Sequence, residues 1–265
     1  MPEGHTTHRL AQDITKTLGG ETIEASSPQG RFDDGAARLD GTTLERAQAW
    51  GKHLFLEPDS GEFVHIHLGL IGKFRRSGVP VKEPQGAIRL RLVGPTAVWD
   101  LSGPNVCELV TPEQQHEIVK DLGPDPLRRG ASVADFIERL GRKRVGIGAA
   151  LLDQQVVAGI GNVYRAELLF MLGIDPRRPA NTLTTDEATE LWELMSAELR
   201  VGKKLNRIVT VEPSEIGARS RAKLTNDERL YAYKREDMPC RRCGHDIEIF
   251  KLASRSTWWC PNCQS

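Results

Sequence analysis

The stretch LLDQQVVAGIGNVYRAELLF, residues 151–170, decides how the C-terminal half of this chain is interpreted. Gly159 and Gly161 lie two residues apart and allow a tight turn with positive φ. Asn162 follows directly and is a strong N-cap residue for the apolar helix that comes next. The free backbone N–H groups at such a helix start suit a phosphate oxygen. A helix, a glycine turn and a second helix can therefore bind a DNA backbone without reading its bases, although an ordinary helix hairpin has the same pattern.

The sequence on both sides of this stretch favours helices. The segments with helical character are SVADFIERL, GIGAALLD, NVYRAELLFML and TTDEATELWELMSAEL. The last of them begins with a good threonine cap. From Lys203 to Met238 the chain is polar and poorly periodic, which predicts a mobile loop. We therefore predict a helical DNA-binding domain over residues 131–236.

Four of the five cysteines lie in the last 26 residues and form two C-x-x-C pairs, which are Cys240 with Cys243 and Cys260 with Cys263. Sixteen residues separate the pairs, which is the spacing of a zinc ribbon. Two disulfides are the alternative, which a reducing cytoplasm disfavours. Four thiolates leave no open position for a substrate, so the pattern predicts one structural zinc ion in a ribbon over residues 237–265.

An arginine within this pattern and the fifth cysteine of the chain have separate interpretations. Arg255 lies inside the zinc hairpin, five residues before Cys260, and a rigid knuckle that presents an arginine suits a phosphate. Exposed arginines are nevertheless common on protein surfaces. Cys107 stands alone in an apolar stretch and is predicted to be a core residue.

The first half of the chain predicts β structure behind one leading helix. Leu10, Ile14 and Leu18 share a face of a helix over residues 6–18, which Gly19-Gly20 ends. Short alternating or β-branched runs follow, separated by turn signals: HLFLE, FVHIHL, AIRLRLV and AVWDL. Such strands without long helices between them suggest a sandwich or barrel over residues 1–121. The prolines of LGPDPLRRG predict a linker over residues 122–130.

Composition excludes some classes of protein. The chain of 265 residues is long enough for two or three domains, and its 36 basic and 36 acidic residues balance. From residue 201 onward Lys and Arg outnumber Asp and Glu by five. This excess predicts a weak preference for a polyanion, although ordinary variation in surface charge would also explain it. We see neither a signal segment nor an apolar run of about 20 residues, so the expectation is a cytoplasmic protein without a membrane partner.

Several polar residues of the N-terminal half could carry chemistry. Pro2, once Met1 is removed, has a free secondary amine beside the carboxyl group of Glu3. Lys52 follows a glycine at a strand start, where the ordinary interpretation is a surface lysine without a catalytic role. His67 alternates with apolar residues, as a satisfied buried histidine would. Each of these signals is weak when it is taken alone.

Taken together the motifs resemble one family along the whole chain. They are, in order, PEG behind Met1, GKHLFLE, HLGLIG, LGPDPL, AGIGNVYRAELLF, YKREDMPCRRCG and SRSTWWCPNCQ. The chain resembles the formamidopyrimidine-DNA glycosylase / endonuclease VIII family of DNA repair enzymes. The resemblance implies an α+β multidomain fold with a leading helix and an N-terminal catalytic β-sandwich. A helix–two-turn–helix domain and a C-terminal four-cysteine zinc ribbon complete the implied fold.

The resemblance implies a catalytic role for three residues. In the family the N-terminal proline amine attacks the sugar carbon that carries the damaged base, and the flanking phosphates are then eliminated. Pro2 takes this role here, and a secondary amine forms a cationic iminium directly. Glu3 matches the acid that protonates the sugar oxygen as the ring opens. Lys52 becomes a second cationic group near the reacting sugar.

The resemblance also implies residues that contact damaged DNA. His67, Asn162 and Arg255 correspond to positions that hold phosphates around the lesion. The target nucleotide must be flipped out of the stack, and Leu70 occupies the position of the apolar wedge that fills the gap. The implied enzyme is a monomer that works on DNA at the bacterial nucleoid.

The sequence departs from the 8-oxoguanine branch of the family in three places. That branch carries an Arg and a Phe in a strand-end loop where this chain reads WDLSGPNVCEL. The N-terminus reads PEGH instead of PELP, and Thr6 stands where a second glutamate is usual. These departures favour an endonuclease VIII-like enzyme acting on oxidised pyrimidines in duplexes, single strands or bubbles. The alternatives are an 8-oxoguanine glycosylase and a catalytically silent DNA-binding paralogue.

Overall fold

The computed structural model describes residues 2–265 and divides the chain into two compact units. The first unit runs to Asp121 and the second begins at Leu122. No helix within the described residues has both the length and the apolar character that crossing a membrane requires.

The first unit combines two antiparallel sheets with short helices. Its helices are α1 (Gly4–Leu18), α2 (Asp33–Leu39) and α3 (Pro112–Val119). Its strands are β1 (Glu21–Thr22), β2 (Glu24–Ser26), β3 (Thr43–Trp50), β4 (His53–Pro58), β5 (Phe63–His67), β6 (Lys73–Ser77), β7 (Ile88–Val93), β8 (Val98–Ser102) and β9 (Val106–Val110). One sheet has the order β1-β3-β4-β5-β9 and the other the order β2-β7-β8-β6.

Both sheets and α1 contribute to one hydrophobic core. Alternate residues of β4 and β8, such as Leu54 and Leu101, are fully buried in this core, and Ile14 joins them from α1. Because side chains alternate between the faces of a strand, each sheet turns one apolar face inward. The predicted N-terminal sandwich with a leading helix is therefore confirmed. Cys107 packs against the edge of this core, and burial raises the pKa of its thiol to about 12.

The elements of this unit differ from the prediction at their edges. Helix α1 begins at Gly4, two residues earlier than predicted, because the carbonyl of Glu3 accepts hydrogen bonds from the N–H groups of Thr6 and Thr7. The strands β3, β6 and β9 were not predicted, since their half-exposed sequences lack continuous apolar alternation. Helix α3 was also missed, although Thr111 and Gln114 form a capping box at its start.

The second unit is helical and ends in a two-stranded ribbon. Its helices are α4 (Val133–Gly141), α5 (Ile147–Ala150), α6 (Asn162–Met171) and α7 (Thr185–Leu205), and its strands are β10 (Glu248–Leu252) and β11 (Arg255–Trp259). Each predicted helical segment overlaps one of these helices, although α4 and α7 extend beyond the predicted C-terminal ends. The threonine cap is also present, since Thr184 and Glu187 form a capping box at the start of α7.

Two segments of this unit are more tightly packed than their sequences suggest. Residues 122–130, which we predict to be a linker, belong to the second unit, where Gly123 and Asp125 are buried and Leu127 packs on the helical core. In the segment from Lys203 to Met238, α7 continues to Leu205 and residues 208–211 and 230–232 are buried. The remainder of that segment contains two short 3-10 helices and is largely exposed.

Candidate active site and nucleic-acid interface

The predicted nucleophile and acid lie at the first turn of α1. Pro2 is half-buried, and Glu3 is fully buried although its side chain is charged in water. Glu3 is also the N-cap residue of α1, with an extended backbone. The positive end of the helix dipole would stabilise the carboxylate that forms once Glu3 gives up a proton. The sequence thus places Pro2, whose nitrogen becomes a free amine once Met1 is removed, directly before a buried carboxyl group.

Lys52 and His67 lie at the same end of the five-stranded sheet. Lys52 follows Gly51, whose φ of +55° allows the two-residue turn between β3 and β4. His67 is the last residue of β5 and faces His53 across the strand pair. Burial lowers the pKa of His67, and the charges of His65 and Lys52 lower it further. A neutral imidazole beside a lysine can hold a phosphate by hydrogen bonding without itself being a cation.

The loop between β5 and β6 presents two apolar side chains to solvent. Leu70 is 63 % exposed and Ile71 is 75 % exposed, which is unusual for side chains of this size. Gly69 has a φ of +66°, and a Cβ atom there would lie 2.5 Å from the side chain of Asn105. A Cβ atom on Gly103 would lie 3.6 Å from the side chain of Ile71, which is ordinary van der Waals contact, so the short β8–β9 loop adjoins this loop at both glycines. Sequence reasoning identified Leu70 and missed Ile71, which alternation alone could not distinguish from a core residue.

The predicted glycine turn leads into α6, but its details differ. Gly159 has a φ of +97°, as predicted, whereas Gly161 has an extended backbone with a φ of −125°. The prediction that Asn162 caps α6 is wrong, because Gly161 is the N-cap residue and Asn162 is the first residue of the helix. The amide of Asn162 is instead directed to the ribbon, where its Nδ2 donates to the carbonyl of Ser256 at 3.1 Å.

Arg165 completes this joint between α6 and the ribbon. Its side chain is fully buried, and it donates to Asn162 Oδ1, to the Ser256 carbonyl at 2.9 Å and to the Gly148 carbonyl at 3.3 Å. Sequence reasoning missed it. A charged residue inside the apolar run NVYRAELLF was the available signal, since a buried arginine requires several acceptors.

A second charged residue of α6 anchors the chain just before the ribbon. The carboxylate of Glu167 is fully buried and accepts from the backbone N–H groups of Tyr231, Ala232 and Tyr233 at 2.7 to 2.9 Å. Thr210 Oγ1 donates to the same carboxylate. Four donors satisfy one buried anion, which fixes the path of this segment relative to α6.

Arg255 begins β11 and is exposed at the tip of the ribbon hairpin. It pairs in register with Leu252, and the two residues between them, Ala253 and Ser254, have φ values of 49° and 62°. Positive φ at both central residues is the geometry of a tight hairpin turn. Since the neighbouring Ser256 accepts from Asn162 and Arg165, the structure brings two of the predicted phosphate contacts, Asn162 and Arg255, into one local assembly.

The four ribbon cysteines form a metal site. Within the described residues, the sulfur atoms of Cys240, Cys243, Cys260 and Cys263 all lie within 4.8 Å of one another. The sulfur atoms of Cys240 and Cys263 are 3.8 Å apart and those of Cys243 and Cys260 are 3.5 Å apart. Disulfide sulfurs would lie about 2 Å apart, whereas tetrahedral Zn–S bonds of about 2.3 Å place sulfurs about 3.8 Å apart. The residues therefore fit one structural zinc ion, as predicted.

Three family models match the chain in the order of its parts. The N-terminal domain of formamidopyrimidine-DNA glycosylase matches residues 1–100, and the H2TH domain of that enzyme matches residues 122–211. The zinc finger found in FPG and IleRS matches residues 239–265.

Curated proteins and solved structures agree with these matches. The chain is 43 % identical to Endonuclease 8 1 of Mycobacterium bovis over 270 residues, covering 100 % of both chains. It is 34 % identical to a formamidopyrimidine-DNA glycosylase of Herpetosiphon aurantiacus over 284 residues, covering 100 % of this chain and 99 % of that protein. A solved structure of Lactococcus lactis Fpg with N7-benzyl-Fapy-dG DNA is 25 % identical and fully covered, with a TM-score of 0.80. The chain therefore belongs to the formamidopyrimidine-DNA glycosylase / endonuclease VIII family of DNA glycosylases.

Proposed function

We propose that this protein is a bifunctional glycosylase and abasic-site lyase that removes oxidised pyrimidines from DNA in base excision repair. The observation that carries the proposal is the first turn of α1, where Pro2 directly precedes the fully buried Glu3. An amine nucleophile needs an adjacent acid, and a carboxyl group that is withdrawn from water is a common source of one. Since its substrate is genomic DNA, the enzyme would act at the bacterial nucleoid.

The proposed reaction starts at the sugar carbon that carries the damaged base. The Pro2 nitrogen forms a bond to C1′ while the glycosidic bond breaks, and the base leaves with its electron pair and takes up the proton that the Pro2 nitrogen gives up. The sugar ring opens as O4′ takes a proton from Glu3, which leaves a cationic iminium between Pro2 and C1′. The iminium withdraws electrons, so successive β- and δ-elimination release the 3′ and 5′ phosphates. Lys52 adds positive charge beside these phosphates.

The remaining predicted residues would bind the DNA around the flipped nucleotide. The exposed Leu70, with Ile71 beside it, has the apolar character to fill the vacated stack. His67 would contact phosphates from the first unit, and Asn162 and Arg255 from the second. The buried Asn162 joins α6 to the ribbon through the Ser256 carbonyl, so part of its effect on binding would pass through Arg255.

Two observations favour oxidised pyrimidines over 8-oxoguanine. Only three residues, from Gly103 to Asn105, separate β8 from β9, and none of them is the Arg or Phe of the 8-oxoguanine branch. The Endonuclease 8 1 relatives are also more similar to this chain than the formamidopyrimidine-DNA glycosylase of Herpetosiphon aurantiacus. The second candidate, an 8-oxoguanine or formamidopyrimidine glycosylase, is favoured by the likeness to the Lactococcus lactis complex.

Borohydride trapping on a lesion panel tests this proposal. We expect the protein to form a trapped adduct with duplexes that contain an oxidised pyrimidine and to process 8-oxoguanine more slowly. Glu3→Gln should lose base excision by about 100-fold or more, the usual scale for a general acid, and still nick abasic DNA. A protein that retains Met1 ahead of Pro2 should lose both activities and the adduct. Glu24→Gln, at an exposed glutamate of β2, is the control.

Each other outcome has a definite meaning. Full trapping by the Met1-retaining protein would identify another amine, with Lys52 the first candidate, as the nucleophile. Preferential excision of 8-oxoguanine would favour the second candidate. Binding to every duplex without any excision or nicking would show a catalytically silent DNA-binding protein.

A further inference from the structure

Three histidines share the face of the five-stranded sheet beside Lys52. In register, His53 of β4 faces His67 of β5, and His65 of β5 faces Glu108 of β9. Residues two apart on a strand point to the same face, so His65 and His67 lie on one side of β5. This cluster is separate from the apolar core, which the alternate residues of the same strands enter.

Hydrogen bonds join three members of this cluster in a chain. His65 Nδ1 lies 3.0 Å from Glu108 Oε1, and His65 Nε2 lies 2.9 Å from His53 Nδ1. Packing also holds the His65 ring, because Phe55 stacks on it with the ring centroids 4.9 Å apart. The Glu108 side chain is 53 % exposed, so the chain of hydrogen bonds runs from the protein surface to the residue that follows Lys52.

This chain of bonds determines where the protons lie. An ionised carboxylate only accepts hydrogen bonds, so His65 Nδ1 must donate to Glu108. In a neutral imidazole the other nitrogen is then an acceptor, so His65 Nε2 accepts from His53 Nδ1. By the same rule His53 Nε2 is left as an acceptor. The direction of every bond therefore follows from the single carboxylate at the surface.

The histidines are buried enough to remain neutral. Burial lowers the pKa of His53 to about 3, with further contributions from His65, His67 and Lys52. Burial also lowers the pKa of His65, although the hydrogen bond to Glu108 acts in the opposite direction. Neutral rings do not repel the ammonium group of Lys52, whereas protonated rings would.

We propose that Glu108, His65 and His53 form a relay of hydrogen bonds that locks His53 in one tautomer. The Nε2 atom of His53 is then a hydrogen-bond acceptor for the corner of the sheet formed by Lys52 and His67. The three are positioning residues, which act through Lys52 and His67 and do not touch the substrate. The relay holds this corner in the arrangement that receives the sugar and its phosphates. Its effect on catalysis rests on the proposed function, whereas the tautomers themselves do not.

Nitrogen-15 NMR of histidine-labelled protein without DNA tests the relay directly. Protonated and unprotonated imidazole nitrogens have well-separated shifts, and each tautomer has its own pattern. We expect His53 and His65 both to carry the proton on Nδ1 in the wild type. Glu108→Met should leave a mixture of tautomers, whereas Glu108→Gln should retain the wild-type pattern because its amide oxygen still accepts. A proton on Nε2 of either residue in the wild type would overturn the proposal.

Single-turnover excision then measures what the relay does. Glu108→Met should lower the rate by about 10-fold, the scale of a small misplacement of catalytic groups, while DNA affinity changes less than about twofold. Glu108→Gln should remain within about twofold of the wild type. His53→Asn keeps a donor toward His65 but lacks the Nε2 acceptor, so it should match Glu108→Met.

The two Glu108 variants separate this relay from simpler explanations. An equal loss in Glu108→Gln and Glu108→Met would show that the negative charge matters and would overturn the tautomer argument. Unchanged rates in Glu108→Met, with the tautomers scrambled, would overturn the positioning role. If the wild-type protein excises no base, the proposed function fails while the NMR result still decides the tautomers.

Discussion

The two compact units use polar side chains in different ways. In the first unit, the predicted reactive and DNA-contacting residues lie outside the apolar core, in the turn at Lys52, at the strand end at His67 and in the loop at Leu70. In the second unit, Asn162 belongs to a buried network with Arg165 and the Ser256 carbonyl. The zinc site is likewise part of the hydrophobic cluster that packs on α6.

This difference predicts how function and stability are linked in each unit. A residue at the rim of the first unit can be changed with little effect on the core beneath it. A residue of the second unit's network cannot be changed without loosening the joint between α6 and the ribbon. Glu3 is the exception in the first unit, because it is fully buried at the start of α1. The following variants test the contrast, from the largest expected effect to the smallest.

Loss of one zinc ligand should have the largest effect. We expect Cys260→Ser to release the zinc and to reduce DNA affinity by more than about 100-fold, because metal binding and ribbon folding are one equilibrium. Cys260 lies in the same cluster as Phe170 of α6, so the damage should reach the helical part of the second unit. Metal analysis and DNA-binding titration measure the first two effects, and proton NMR of the second unit measures the third.

The control for this experiment is the fifth cysteine. Cys107→Ser lies in the first unit, half-buried at the edge of its core, and should retain the zinc and most DNA affinity. Near wild-type DNA affinity in the zinc-free Cys260→Ser protein would contradict the coupling of metal and function.

Removal of the buried guanidinium should have the next largest effect. Arg165→Met removes the guanidinium donor from Asn162 and Gly148 and leaves the Ser256 carbonyl with the Asn162 amide alone, which we expect to destabilise the second unit by about 3 kcal/mol. DNA affinity should fall equally for damaged and undamaged duplexes, because under the proposed function the ribbon tip contacts phosphates and reads no base. Denaturant unfolding and binding titrations measure the two effects.

Two further variants sharpen the test of Arg165. Arg165→Lys should not restore stability, since an ammonium cannot reach three acceptors in the planar geometry of a guanidinium. Arg142→Met removes an arginine of the same unit that is 71 % exposed, and should change stability by less than about 0.5 kcal/mol. A binding loss confined to damaged DNA would mean that the joint takes part in lesion recognition.

Sequence patterns predicted the parts of the molecule that depend on near neighbours. The cysteine spacing, the helix behind the glycine turn and the Thr184 cap are each contained within about thirty residues. Contacts between distant residues could not be read in this way. Glu108 bonds to a histidine 43 positions away, and Arg165 bonds to a carbonyl 91 positions away.

The difference between near and distant partners also explains two predictions of local structure that were wrong. Asn162 is a residue type that favours caps, but its Oδ1 atom, which a cap would use as the acceptor, accepts from Arg165, while its Nδ2 donates to the distant Ser256 carbonyl. The polar stretch after Lys203 resembles a loop, yet Glu167 fixes residues 231–233 to α6 through their backbone N–H groups. In both cases a partner that is remote in sequence decides the local structure.

The apolar loop of the first unit should show function separated from stability. Leu70→Ala removes much of an exposed side chain, so we expect the free energy of unfolding to change by less than about 0.5 kcal/mol. Excision from duplex DNA should fall by about 10-fold, because the smaller side chain fills less of the vacated stack. Excision from a single strand should be unchanged, since no stacked partner must be replaced.

Ile71→Ala and Val81→Ala complete this comparison. Ile71 is next to Leu70 and should give a smaller loss in the same direction. Val81 is 48 % exposed but lies outside the loop, so its substitution should leave excision unchanged. Equal losses on duplex and single-stranded substrates would show that the loop does not act as a wedge.

The smallest expected effect is a pH-dependent one at the start of α7. The hydrogen bonds from Arg178 and the Thr184 N–H lower the pKa of Glu187 to about 2 from its usual 4.5. A lowered folded-state pKa adds stability above pH 4.5, and this contribution disappears as the pH falls from 4.5 toward 2. Because the carboxylate is one-third exposed, solvent screening limits the contribution to below about 1 kcal/mol.

Glu187→Gln should therefore reduce the free energy of unfolding near pH 7 and converge with the wild type near pH 2. Glutamine can still accept from the Thr184 N–H, so the capping box survives and the ion pair with Arg178 alone is lost. Glu24→Gln, at an exposed glutamate of β2, is the control from the first unit and should follow the wild-type curve. A difference for Glu187→Gln that persists unchanged to pH 2 would locate its contribution in the helix cap and not in the ion pair. The start of α7 would then resemble the start of α3, where a capping box of two neutral side chains, Thr111 and Gln114, determines the local structure.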